Sequence, residues 1–181
     1  MKYFEIVKKP QINIAPRLEN WYGKFDVRDI KMDSFYKLPE NQLFIVEMTE
    51  KQIFTDFIMF PFVLISRKVI DVIKMYGDIC FCRQVTLLDP RGRNSEVYYL
   101  PVLDESKKIK LSYKEFETGK CTKNVPEEKQ ALMVNKNVFW VSDSLTRHTI
   151  ISMDFAESIL RRGATGVELK EVILTPIGSI V

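Results

Sequence analysis

The side chains able to do chemistry in this chain are few, and their spacing forms no recognised catalytic arrangement. Cys80-Phe81-Cys82 places two thiols on one side of an extended strand, because strand side chains alternate with a period of two. Two thiols could begin a tetrahedral metal site, which needs two further ligands. The remaining soft ligands are Cys121 and His148, the single histidine, and neither sits in a paired motif. Core cysteines are therefore the favoured reading, and no metal or cofactor is expected. His148 could serve a Ser-His-Asp or Cys-His system, but nothing nearby marks a nucleophile. Ser66 and Ser152 lie outside the Gly-x-Ser-x-Gly elbow of a hydrolase. The seven glycines are scattered, with no phosphate-loop or dinucleotide fingerprint. Arg91-Gly92-Arg93 could meet a phosphate, yet Arg and Gly are also ordinary at a hairpin tip. The lysines from Lys107 to Lys123 are interleaved with Glu115 and Glu117, a solvated surface rather than a nucleic-acid groove.

The elements that must position these residues contain a block that occurs twice. Val63-Leu64-Ile65-Ser66 runs into a helix-like stretch closed by Gly77, and Thr149-Ile150-Ile151-Ser152 runs into another closed by Gly163. Each copy reads as an apolar strand, an N-capping hydroxyl, a short helix and a left-handed glycine stop. The first helix is predicted over Arg67–Tyr76, with Val69, Ile70, Ile73 and Tyr76 on one face. The second is predicted over Met153–Arg162, burying Phe155, Ala156, Ile159 and Leu160. Arg67 and Lys68 open the first helix, where its dipole disfavours cations by about 0.3–1 kcal/mol each. An Arg67–Asp71 pair across one turn would offset part of that cost; a cationic spot kept for an acidic partner is the other reading.

Between the two copies, Ile79, Phe81, Val85 and Leu87 alternate along a strand, Asp89–Asn94 supplies turn chemistry, and Glu96–Leu103 returns. Further strands are expected at Tyr3–Val7, Leu43–Met48, Ile53–Met59, Ala131–Val134, Val138–Val141 and Val167–Leu174, with a short element around Ile109–Phe116. Pro61 argues for an edge or a break. Residues 1–40 read as irregular after the first strand, with Trp21, Tyr22 and Phe25 pinning them to the core. The fold class expected is α+β: a mixed, mainly antiparallel sheet with a long central hairpin and two principal helices. A helix of that length can also serve as a crossover between parallel strands.

At 181 residues the chain suits a single domain, with an irregular and β part over 1–60 and the repeated region over 61–181. A hydrophobic share of 46% with 28% charged residues excludes global disorder. The charge of +3 is too small to argue for nucleic acid or an anionic membrane as partner. Met1–Pro10 carries charges where a signal peptide needs an apolar core. The longest apolar run, Phe57–Ile65, is far short of the roughly 20 residues of a membrane helix. With three cysteines, an odd number, the chain is expected to be cytoplasmic with reduced thiols.

Taken in order, these motifs carry a resemblance. Leu64-Ile65-Ser66 enters the first helix, and Tyr98-Tyr99-Leu100-Pro101-Val102-Leu103-Asp104 follows. Val138-Phe139-Trp140-Val141 comes next, and Ile150-Ile151-Ser152 leads to Gly163-Ala164-Thr165-Gly166. From Pro61 to Leu174 this series resembles immunity family eleven of the bacterial polymorphic toxin systems, with Trp140 standing where an Arg is frequent. The resemblance implies a cytoplasmic protein that binds a cognate toxin domain and blocks it, and it brings no catalytic residues to carry over. Such an inhibitor needs a stable scaffold and a complementary surface of roughly 800 Å² per partner. Arg67, Lys68, Arg91 and Arg93 are the expected contact residues. A small enzyme assembled from isolated polar residues, such as His148 with a cysteine, and a structural or regulatory subunit are the competing classes.

Overall fold

A computed structural model describes residues 1–8, 14–106, 109–113, 135–143 and 146–177. Their strands, numbered along the chain, are β1 (Tyr3–Val7), β2 (Arg17–Leu18), β3 (Asn41–Glu47), β4 (Phe57–Ile58), β5 (Leu64–Ser66) and β6 (Cys80–Asp89). There follow β7 (Asn94–Leu103), β8 (Ile109–Tyr113), β9 (Val138–Ser142), β10 (Arg147–Ser152) and β11 (Glu168–Pro176). Helix α1 spans Arg67–Tyr76 and α2 spans Met153–Arg161, with short 3-10 turns at Val27–Asp29 and Met32–Lys37. The fold is α+β, as expected, but the strands form two sheets. One is ordered β8-β11-β1-β10-β9 and is antiparallel throughout; the other is ordered β2-β3-β6-β7-β5-β4, with β3 and β6 its parallel pair. The expected hairpin is the β6–β7 ladder, in continuous register from Cys80↔Leu103 to Asp89↔Asn94.

The repeated block is longer in three dimensions than in sequence. Strands β5 and β6 run parallel on either side of β7, and β10 and β11 run parallel on either side of β1. Each block is thus a crossover whose two strands are split by a third, and each begins with a short antiparallel strand, β4 or β9. The residue just before that short strand is polar in both: Asp56 before β4 and Asn137 before β9. The backbone N–H of Ser66 donates to the Asp56 carbonyl at 3.0 Å, and that of Ser152 to the Asn137 carbonyl at 2.8 Å. Both hydroxyls also bond the side chain of the same residue: Ser66 Oγ to Asp56 Oδ1 at 2.7 Å, Ser152 Oγ to Asn137 Oδ1 at 2.9 Å.

The two caps differ. Ser152 Oγ accepts from the Phe155 N–H at 3.2 Å, as an N-cap should, and Gly163 follows with φ +68°. Ser66 has the backbone of a cap, and Gly77 has φ +70°, but the Ser66 side chain caps no helix N–H. The charged Asp56 is the stronger acceptor, and the hydroxyl turns to it. Ser152→Ala is expected to cost about 1 kcal/mol in urea unfolding, and Gly77→Ala or Gly163→Ala about 1–2 kcal/mol through the positive φ.

The helices pack on each other and on the facing sides of both sheets. Val69, Ile70, Val72 and Ile73 are buried from α1, and Phe155, Ala156 and Ile159 from α2. Leu160 instead is 51% exposed, because it falls beyond the narrow stripe of α2 that the core receives. Tyr76 Oη donates to the Asp154 carbonyl at 2.8 Å, and its ring lies 5.6 Å from that of Phe155. The six-stranded sheet curls, so its two edges, β2 and β4, both reach one cleft. Its inner face holds Phe44, Val46, Val85, Leu87, Tyr98 and Leu100, closed by Phe25 and Phe62, whose rings are 5.2 Å apart. Trp21 and Phe25 pin the N-terminal segment as expected, whereas Tyr22 is 87% exposed. Of the strand expected over Ile53–Met59 only Phe57–Ile58 forms, since Thr55 and Asp56 bond across the molecule rather than along a ladder. The element expected around Ile109–Phe116 is β8 as far as Tyr113; its remainder and the strand expected at Ala131–Val134 lie outside the described residues.

Candidate functional site

Asp56 is the most connected polar residue described, and sequence patterning gives it no role. It is 8% exposed and is the single charged residue between Lys51 and Arg67. Beside the Ser66 bond, its Oδ2 accepts from Lys68 Nζ at 3.0 Å, Thr165 N at 2.9 Å and Thr165 Oγ1 at 3.1 Å. Burial pushes its carboxyl up, but these donors outweigh burial and hold it below the ordinary value. The carboxylate therefore clamps the start of α1 to the loop that follows α2. Lys68 Nζ also reaches the Gly163 carbonyl at 3.4 Å. Gly166 completes the junction: a Cβ there would lie 2.6 Å from Thr55 Cβ and 2.7 Å from the Phe57 carbonyl oxygen. The signal for this clamp was a lone carboxylate inside an apolar run.

A cleft of about 520 Å³ opens beside this junction, lined by Phe57, Met59, Thr165 and Gly166 with Lys8 and Arg17. Its described wall holds no His, Cys, Asp or Glu, and its one hydroxyl, on Thr165, is bound to Asp56. Its described wall thus carries no carboxylate, imidazole or thiol, and its ionisable groups are Lys8 and Arg17.

His148 lies elsewhere, on the side of the five-stranded sheet that carries the smaller core of Tyr3, Phe139, Val141 and Ile150. Its Nδ1 is 2.7 Å from Glu5 Oε1, and its Nε2 is 3.1 Å from Asp143 Oδ2 and 2.9 Å from Thr146 Oγ1. Glu5 Oε2 accepts from Tyr113 Oη at 2.7 Å. Thr146, His148 and Glu5 have the order of a nucleophile, base and orienting acid, but Asp143 changes the chemistry. With a carboxylate on each nitrogen, both ring positions can donate, an arrangement that favours the cation. Burial would lower its pKa; the bonds to Glu5 and Asp143 outweigh that and raise it. A doubly paired imidazolium has no lone pair with which to take a proton from Thr146. Tyr113 is pushed up to about 12 by burial and its bond to Glu5.

The cysteines are not brought to this cluster. Cys80 and Cys82 pack against the larger core, across the five-stranded sheet from His148. Burial pushes the Cys80 thiol up to about 12 and raises Cys82 as well, which keeps both protonated and poorly nucleophilic. Among the described residues, no group of three or more His, Cys, Asp or Glu could hold a metal ion; Cys121 lies outside them. Elemental analysis is expected to give zinc far below one atom per chain, and Cys80 should react with a thiol reagent only once the protein unfolds.

The four expected contact cations separate. Lys68 turns inward to Asp56. Arg67 pairs with Asp71 at 3.0 Å and donates to Tyr99 Oη at 3.2 Å, so the intrahelical pair does form. Arg91 pairs with Glu47. Arg93 occupies the tip of the β6–β7 hairpin at φ +52°, with no acidic partner among the described residues. Trp140 is buried, and the guanidinium above its ring, at 4.3 Å, comes from Arg147 on the adjacent strand. Among the described residues, no helix is long and apolar enough to cross a membrane. No protein-family model and no curated protein matches the chain.

Proposed function

We propose that this chain is an immunity protein that binds and neutralises a cognate polymorphic toxin domain in the bacterial cytoplasm. The observation that carries the reading is the ordered series of motifs from Pro61 to Leu174. They coincide with β5 and α1, with β7, with β9, and with β10 through the loop after α2. The motifs thus belong to the scaffold of the repeated blocks, where an inhibitor without chemistry of its own would need them. The state of the polar clusters is consistent with this role. Asp56 is saturated by donors, His148 is paired on both nitrogens, and the Cys80 and Cys82 thiols are half-buried and protonated. The test is co-expression with the C-terminal domain of the toxin encoded beside this gene. Survival of the cells and a stoichiometric complex on pull-down are expected. Cell death despite abundant folded protein, with no complex, overturns the reading.

A further inference from the structure

The outer face of the six-stranded sheet is built for burial and is only partly covered by the described residues. Period-two alternation along β3 turns Phe44 and Val46 inward and Leu43, Ile45 and Glu47 outward. The register carries this outer face across two more strands. Leu43 aligns with Thr86 and Val97, and Ile45 with Leu88 and Ser95. Leu43 is 49% and Val97 38% exposed. Ile45 and Leu88, although only partly exposed, belong to neither hydrophobic cluster. Helix α1 packs over β5 and β7 and, among the described residues, leaves Leu43 and Val97 exposed.

A sheet with one face in water normally carries polar residues there, and parallel pairs such as β3–β6 are normally buried on both faces. The outward positions here are Leu43, Ile45, Thr86, Leu88 and Val97, with Ser95 and Glu47 toward the hairpin-tip end. At about 4.8 Å between strands and 3.3 Å per residue, two outward positions on each of three strands cover roughly 200 Å². This area is less than half of the roughly 800 Å² that a stable partner covers, so the rim must take part.

The rim decides what kind of partner fits. Arg67 lies on the α1 flank, beside Tyr99, and Lys74 is close enough to act on the Cys82 thiol of β6. Arg91 and Arg93 lie at the hairpin tip, and Lys24 donates to the Leu43 carbonyl at the β3 edge. Against these stand Asp71, Glu47 and Glu19. A second copy stacked about a twofold axis would bring this predominantly cationic rim against itself. An apolar patch framed by carboxylates would meet both the face and its charge.

We infer that the Leu43–Ile45–Leu88–Val97 face is the docking surface for the toxin domain, which presents an apolar patch with an acidic border. This rests on the immunity reading and assigns it a surface. Arg67, Arg91 and Arg93 are rim residues in this assignment, and Lys68 is a scaffold residue.

The test measures binding of the toxin domain encoded beside the gene to the full-length chain and to three variants. Leu43→Lys with Val97→Lys keeps the rim's sign and removes the apolar contact. Both positions are exposed, so circular dichroism and thermal midpoint should match the parent while Kd rises at least 100-fold. Arg91→Glu with Arg93→Glu should slow association at least tenfold at low salt and flatten its salt dependence. Leu160→Lys, exposed on α2, should bind within twofold of the parent. If the parent chain forms no complex, the immunity reading fails and this surface with it. If the parent binds and Leu43→Lys/Val97→Lys binds equally well, the surface is wrong and the immunity reading stands. If the chain sediments as a dimer that this variant dissociates, a second copy occupies the face and the inference is overturned.

Discussion

Asp56→Ala is expected to lower the stability of the protein by about 3 kcal/mol, with the urea midpoint falling and its slope unchanged. In a protein of this size that corresponds to a thermal midpoint roughly 6–12 °C lower. The magnitude comes from the donors left behind. The side chain of Asp56 is only 10% exposed, and its removal takes the acceptor from the half-buried Ser66 hydroxyl and from the N–H and hydroxyl of Thr165, a residue that itself reaches solvent. A hydrogen bond to a charged group contributes about 1.5–3 kcal/mol. Lys68 adds little, because its side chain is 39% exposed and can return to water. The folded-state pKa of Asp56 is depressed. Its contribution is therefore present above the unfolded value of about 3.9 and lost as pH falls through the folded value below it. The parent should lose stability on acidification through that window more steeply than Asp56→Ala.

Asp56→Asn sharpens the argument, because the second block already carries an amide at the equivalent place. Asn137 accepts from Ser152 and needs no counter-charge. The Asp56→Asn chain keeps an acceptor for Ser66 and Thr165 and loses only the charge, so a cost of about 1 kcal/mol is expected. Its acid dependence should match that of Asp56→Ala. Equal losses for Asn and Ala would show that charge, rather than hydrogen-bond geometry, holds the junction.

The contrast between Asp56 and Ser66 shows where sequence reading succeeds. Strand, helix and glycine stop are local events, set by period-two and helical patterning and by φ-positive glycines, and both blocks were legible at that level. So was the β6–β7 hairpin, whose turn residues lie between two alternating runs. Asp56 was not legible, since its partners Ser66, Lys68 and Thr165 are distant in the chain and meet only through packing. The Ser66 hydroxyl reads as a cap because a cap needs only its own helix; the carboxylate that captures it stands just before β4. The split of the strands into two sheets was hidden for the same reason. The middle strand of the first block, β7, follows it closely, while that of the second, β1, comes from the far end of the chain. The bare outer face was visible as residues, since Leu43, Ile45, Leu88 and Val97 sit in runs read as strands. Its exposure is a tertiary fact: it depends on where α1 stops.

His148→Ala is expected to cost about 3 kcal/mol at pH 6, because it leaves the Glu5 carboxylate, 7% exposed, with Tyr113 as its remaining described partner. Burial opposes the charged ring, but the carboxylates of Glu5 and Asp143 overcome it, and the folded pKa of His148 is raised. The sign follows. The stability contributed by this cation is fully present below the unfolded value of about 6.5 and is lost as pH rises through the folded value above it. Asp143 is the exposed half of the pairing, at 58%, so Glu5 contributes most of the effect. The other groups on this face are Tyr113, held protonated, and Lys170, whose ammonium lies 3.6 Å from the Tyr113 ring centre. Because the chain has one histidine, its ring proton resonance reports this site alone. In the parent it should titrate above 6.5, and in Glu5→Gln the midpoint should move down. Between pH 6 and 9 the parent should lose stability that His148→Ala does not. A parent midpoint at or below 6.5 would show that burial outweighs the carboxylates and leaves the ring neutral. Nε2 would then be free to accept a proton from Thr146, and the Thr146–His148–Glu5 order would again have the chemistry of a base.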